Sequence, residues 1–143
     1  MKNIVIVLLT LLLSSQLRAN ESVSQPRVIA HPSVPVAQLN QAQLRSIFLK
    51  RQVIWPGGTS VKVFILPATS VAHRQFSQNH LQMFPYQLER AWQKLTFSGI
   101  GTPPALVNSA AEMLLLIQST PGAIGYLPAD NEITDAKIIE ITP

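Results

Sequence analysis

The chain has 143 residues, a formal net charge of +4 and no cysteine. That length supports one domain with its own hydrophobic core, and the lack of cysteine excludes thiol catalysis and a disulfide framework. Lys and Arg form no stripe, the longest basic run being Lys50-Arg51, so the composition argues for no nucleic-acid partner.

The N-terminus reads as an export signal. Lys2 supplies positive charge, Ile4 to Leu13 is an apolar run broken only by Thr10, and a polar stretch then ends at the small residue Ala19. Such a run matches the roughly 7–15 residues of a signal-peptide core and falls short of the roughly 20 needed to span a bilayer. The competing reading is a buried N-terminal helix. Residues 1–19 are therefore expected to be a signal peptide, 20–26 a flexible polar leader closed by Pro26, and 27–143 the working domain, placed in the periplasm. Cleavage leaves 124 residues and, with Lys2 and Arg18 gone, a formal charge of +2.

Within the domain, Val28-Ile29-Ala30 is a short apolar run ended by Pro32 and Pro35, as a first strand would be. Asn40 followed by Gln43 predicts a capping box, with Leu39 stapled to Leu44, and the helix from Gln41 then buries Leu44, Ile47 and Phe48 at i, i+3 and i+4. Val53-Ile54-Trp55 is a short extended piece before a Pro56-Gly57-Gly58-Thr59 turn. Val61 to Leu66, apolar on nearly both faces apart from Lys62, predicts a central parallel strand. Thr69 or Ser70 can cap a helix that runs to about His80.

Pro85 suits the first turn of the next helix, where Leu88, Ala91, Trp92 and Leu95 define one buried face. Ser109 and Glu112 predict a second capping box, and Met113 to Ile117, apolar almost all round, predicts a deeply buried helix. Ala123 to Leu127 and Lys137 to Ile141 close the chain as two strands. Strands alternating with helices predict an α/β fold: a single two-layer or three-layer domain on a mixed, mainly parallel sheet.

Candidate chemistry is sparse. His73 and His80 could share a helix face, but an i, i+7 spacing separates the backbones by about 10 Å, so a structural or exposed role is the better reading than one metal site. The acidic segment Asp130 to Ile141 lacks the glycine and the terminal glutamate of a calcium loop. No nucleophile stands with a base at a recognisable spacing, and nothing calls for a cofactor, so the chain reads as a non-enzyme. The one feature with binding chemistry is Pro67 to Arg74. There a strand end feeds a helix start bearing Thr69, Ser70, His73 and Arg74, which is either an oxyanion site or a plain N-cap. Ser33, in the loop after the first strand, is a further candidate contact, because ligands collect at strand ends in open α/β sheets.

Five segments in order resemble one known family. Leu44 to Lys50 with Trp55-Pro-Gly-Gly, Arg74-Gln-Phe76, Trp92, then Phe97-Ser-Gly99 with Pro103-Pro104, and last Pro121-Gly-Ala-Ile-Gly-Tyr126 are similar to motifs of the substrate-binding proteins of bacterial phosphate ABC importers, in the type 2 periplasmic binding protein superfamily. The resemblance implies one lobe of such a protein, an extracytoplasmic home and phosphate or a similar oxyanion as ligand, with Ser33, Thr69, Ser70 and Arg74 as contacts. It also implies service to a membrane transporter. The family's Ser-Gly-Thr-type loop is replaced here by Leu66-Pro-Ala-Thr-Ser, and a single lobe leaves its ligand uncovered unless a second chain, such as another copy, closes over it. The alternative expectation is thus a domain that has lost its ligand and serves as an interaction or sensor accessory module in the cell envelope.

Overall fold

The computed structural model describes residues 24–143. The expected signal peptide and most of the leader lie outside the described residues. The leader's last residue departs from the expectation of a free tether: Pro26 is buried, and its carbonyl accepts a hydrogen bond from His80 Nε2 at 2.6 Å.

Six strands form one sheet: β1 (Arg27–Ala30), β2 (Gln38–Asn40), β3 (Lys62–Ile65), β4 (Ala105–Leu106), β5 (Ala123–Leu127) and β6 (Lys137–Thr142), in the order β2-β6-β1-β5-β3-β4. The pairs β2–β6, β3–β5 and β3–β4 are parallel, whereas β1 runs antiparallel to both β5 and β6. Five strands therefore point one way and β1 alone is reversed, the mixed, mainly parallel sheet that the sequence predicts. β3 lies between two parallel neighbours, as expected of a central strand.

The helices are α1 (Gln41–Phe48), α2 (Val71–Gln75), α3 (Pro85–Ser98) and α4 (Ala110–Ser119). In α1 the predicted box is formed: Asn40 Oδ1 accepts from Gln43 N at 2.8 Å, and Gln43 Oε1 accepts from Asn40 N at 2.9 Å. α2 does not run to His80 as one α-helix. At Phe76 it loosens into a π-helical turn, Phe76–His80, closed by the Leu81 N–H to Phe76 carbonyl bond at 3.2 Å.

All five residues of β5 are buried, and its alternation assigns the helices to layers. Gly125 faces α4, so closely that a Cβ there would lie 2.6 Å from Met113 Sδ. Tyr126 faces the other way, its ring stacked on Phe76 at 4.0 Å and 6.1 Å from Phe48. Helices thus cover both faces, and the domain is three-layered.

Two further expectations about individual elements need correction. α4 is not deeply buried, since only Met113 and Ile117 are enclosed while Leu115 is 64% exposed; as an outer layer it has one face to bury. At its start Ser109 Oγ takes the Glu112 N–H at 3.1 Å, but Glu112 Oε2 reaches Asn108 N rather than closing the box on Ser109. The short edge strands β2 and β4 carry no strand signal in the sequence. They exist because a neighbouring parallel strand offers them hydrogen bonds.

Candidate functional site

Because five strands point the same way, the starts of α1, α2 and α4 all lie at one end of the sheet, after β2, β3 and β4. Two of them, Ser70 before α2 and Ser109 before α4, follow neighbouring strands. They differ electrostatically. α4 carries Glu112 in its first turn, a carboxylate already set on its own helix start. α2 has no acidic residue in its first turn, so its partial positive charge is not neutralised from within.

At α2 the Ser70 hydroxyl accepts the His73 N–H at 3.1 Å, and Ser70 N bonds the Pro67 carbonyl at 2.9 Å, which fixes the loop. The N–H groups of Val71 and Ala72 have no intrahelical partner by helix geometry. Thr69 and Arg74 are exposed, and neither side chain has a hydrogen bond or ion pair among the described residues. Helical Cα–Cβ bonds tilt toward the N-terminus, which leans Arg74 back over this turn.

The loop is anchored from below by a buried pair that sequence reasoning missed. Tyr126 Oη accepts the Leu66 N–H at 2.9 Å and lies 2.6 Å from His73 Nδ1. Since the tyrosine oxygen already receives one N–H, its own proton goes to Nδ1, leaving the proton of a neutral His73 on Nε2. That nitrogen is buried without a partner among the described residues. Burial lowers the His73 pKa from its ordinary value and raises that of Tyr126, so both are neutral near pH 7. A buried histidine whose partner lies 53 residues away in sequence gives no local signal, and only the phenol at the end of Gly-Ala-Ile-Gly-Tyr126 hints at it.

The structure brings Thr69, Ser70 and Arg74 together but separates Ser33 from them. β1 is the reversed strand, so the loop after it lies at the opposite end of the sheet, where Ala30 pairs with Ile124 and Lys62 with Ala123. There Ser33 Oγ accepts the Gly122 N–H at 3.1 Å and lies 2.7 Å from His31 Nδ1. Strand-end reasoning put Ser33 in the site; the antiparallel run of β1 moves it to the other end of the sheet. The remaining histidines hold structure: His31 orients Ser33, and His80 holds Pro26.

Helix starts are thus gathered at the carboxyl ends of parallel strands, where ligands collect in open α/β sheets. Comparison with solved structures finds the same fold. The fold is similar to that of a Clostridium perfringens structure described as a phosphate ABC transporter substrate-binding protein with bound phosphate, at TM-score 0.63 and 16% identity, covering 82% of this chain and 44% of that one. An ABC-type phosphate transport receptor from Vibrio cholerae matches at TM-score 0.58 and 17% identity, over 82% of this chain and 46% of the receptor. PstS from Borrelia burgdorferi matches at TM-score 0.58 and 15% identity, over 82% and 47%. The sequence matches no protein-family model and no curated protein. The chain therefore has the fold of one lobe of these phosphate-binding proteins and spans less than half of their length. No helix among the described residues is long and apolar enough to cross a membrane.

Proposed function

We propose that this protein is an exported, non-enzymatic oxyanion-binding protein of the phosphate-receptor type, working outside the cytoplasm with an ABC importer. Its ligand contacts are Thr69, Ser70, Arg74 and the free N–H groups at the start of α2. The observation that carries the reading is that start itself. It is a serine-capped helix N-terminus at the carboxyl end of a central parallel strand, with no carboxylate in its first turn and with an unpaired arginine beside it. Ser33 is not part of this site.

A second reading has its own support. The loop has Pro67, Ala68 and Thr69 where a tight anion grip would use glycine, and among the described residues nothing covers the exposed Thr69 and Arg74. On this reading the lobe is an interaction or sensor accessory module. The two separate in thermal unfolding with and without millimolar phosphate, sulfate and related oxyanions at constant ionic strength. A ligand present at about a thousand times its Kd adds about 4 kcal/mol and raises the midpoint by roughly 10 °C or more. Arg74→Ala removes that shift if the arginine grips the anion. The absence of a shift with every anion refutes the receptor reading and leaves the interaction module.

A further inference from the structure

The two most exposed large apolar side chains among the described residues, Phe97 at 88% and Ile100 at 82%, lie three residues apart at the end of α3. The helix buries Leu88 and Trp92 on its inner face, and Trp92 Nε1 is tied to the Phe48 carbonyl at 2.9 Å, so its rotation about its own axis is fixed. Arg90, Lys94 and Phe97 follow at i, i+4 and i+7 and share one outward stripe. Across a groove of about 580 Å³ from them stands Arg51, at the exit of α1. None of these three cations makes an ion pair or a side-chain hydrogen bond among the described residues, and no carboxylate lines the groove. The one acid of α3, Glu89, lines a separate depression on the other side of Phe97, with Trp92 and Pro103.

We propose that this face docks on an anionic phospholipid surface, with Phe97 and Ile100 entering the interface and Arg51, Arg90 and Lys94 meeting the lipid phosphates. The charge is complementary, and the placement of the apolar groups selects a bilayer over an acidic peptide. A peptide groove keeps its apolar side chains half-buried on its floor, whereas Phe97 and Ile100, almost fully exposed, find cover only in a medium that closes around them. Cations beside inserting apolar side chains are an arrangement in which each interaction assists the other.

Flotation of the full chain with vesicles of phosphatidylcholine alone, and of phosphatidylcholine mixed with phosphatidylglycerol, tests this. Binding is expected only to the anionic vesicles and is expected to weaken at high salt. Arg90→Gln with Lys94→Gln, and separately Phe97→Ser with Ile100→Ser, should each cut the partition by about tenfold or more. Leu115→Ser, also an exposed apolar side chain but on α4 across the sheet, should leave it unchanged. Thermal midpoints confirm that the variants fold, and the cation pair decides the matter if the apolar pair melts early. Equal binding to neutral vesicles that no variant alters would assign the affinity to the apolar run at residues 4–13 and overturn the proposal. So would binding to polyglutamate or free glycerol phosphate without binding to vesicles.

Discussion

Tyr126→Phe removes one oxygen atom and leaves two buried groups without partners, the Leu66 N–H and His73 Nδ1. The ring stays, so its stacking on Phe76 and its packing against Phe48 are kept, and the loss isolates the hydroxyl. An orphaned buried polar group costs about 1–3 kcal/mol. The backbone N–H is confined at the strand end and should take the upper part of that range, while the imidazole can recover something by changing tautomer. The sum is about 2–4 kcal/mol. For a domain of this size, each kcal/mol moves the midpoint by roughly 4 °C, so Tm should fall by roughly 8–16 °C, read by circular dichroism and checked by urea titration. The same variant should loosen the Pro67–Ser70 loop and weaken any oxyanion affinity beyond what global stability explains. A Tm loss under about 2 °C would show that a water replaces the hydroxyl, and that the Tyr126–His73 pair neither holds the fold nor positions the loop.

Stability should also depend on pH through His73. Burial holds its folded pKa below the ordinary histidine value, so the unfolded chain binds the additional proton first. The contribution is therefore complete above about pH 6.5 and is lost as pH falls through the folded value, and His73→Gln should flatten that part of a Tm-versus-pH curve. Gly122 has φ +78° and a Cβ there would meet the Ser60 carbonyl oxygen at 2.2 Å, whereas at Gly125 the nearest atom is the movable Met113 Sδ at 2.6 Å. Gly122→Ala should thus cost about 2–5 kcal/mol and Gly125→Ala about 1–3, and the reverse order in urea unfolding would contradict the packing argument. Ser33→Ala deletes the acceptor of the Gly122 N–H and should cost about 1 kcal/mol while leaving oxyanion-dependent shifts in Tm unchanged, since Ser33 lies at the far end of the sheet.

Elements whose signals are local were legible in the sequence. Asn40 with Gln43, the burial of Leu44, Ile47 and Phe48, a cap at Thr69 or Ser70 and Pro85 at the start of α3 each depend on neighbours within four residues, and each is found, the cap being Ser70. What could not be read depends on partners distant in sequence. The reversal of β1, which displaced Ser33, is decided by Arg27↔Leu127 pairing across a hundred residues. The exposure of Leu115 follows from α4 being an outer layer, and the burial of His73 follows from Tyr126 lying beneath it. Of the candidate site, the helix-start cluster was visible as a string of residue types, but its foundation was not.

The motifs that suggested a family turn out to be one another's partners. Trp55 Nε1 donates to the Gly122 carbonyl at 2.9 Å, and that carbonyl also takes the Lys62 N–H at 3.0 Å. Trp92 Nε1 donates to the Phe48 carbonyl, and Phe76 stacks on Tyr126. The Gly122 to Tyr126 segment spans the sheet, fastening Trp55, β3 and Ser33 at one end and Leu66 and His73 at the other. These residues hold a lobe together whether or not anything binds to it, so their presence supports the fold and is neutral about phosphate. The functional question therefore narrows to Pro67 through Arg74, where the fold leaves Thr69 and Arg74 exposed and unpaired. A helix start exposed to water cannot draw on the dry, low-dielectric enclosure that strengthens charge-assisted hydrogen bonds, so high anion affinity requires a second surface over it. A receptor reading with micromolar affinity thus carries a partner with it, and weak binding by the isolated chain that tightens on adding a transporter or a second copy would be its signature.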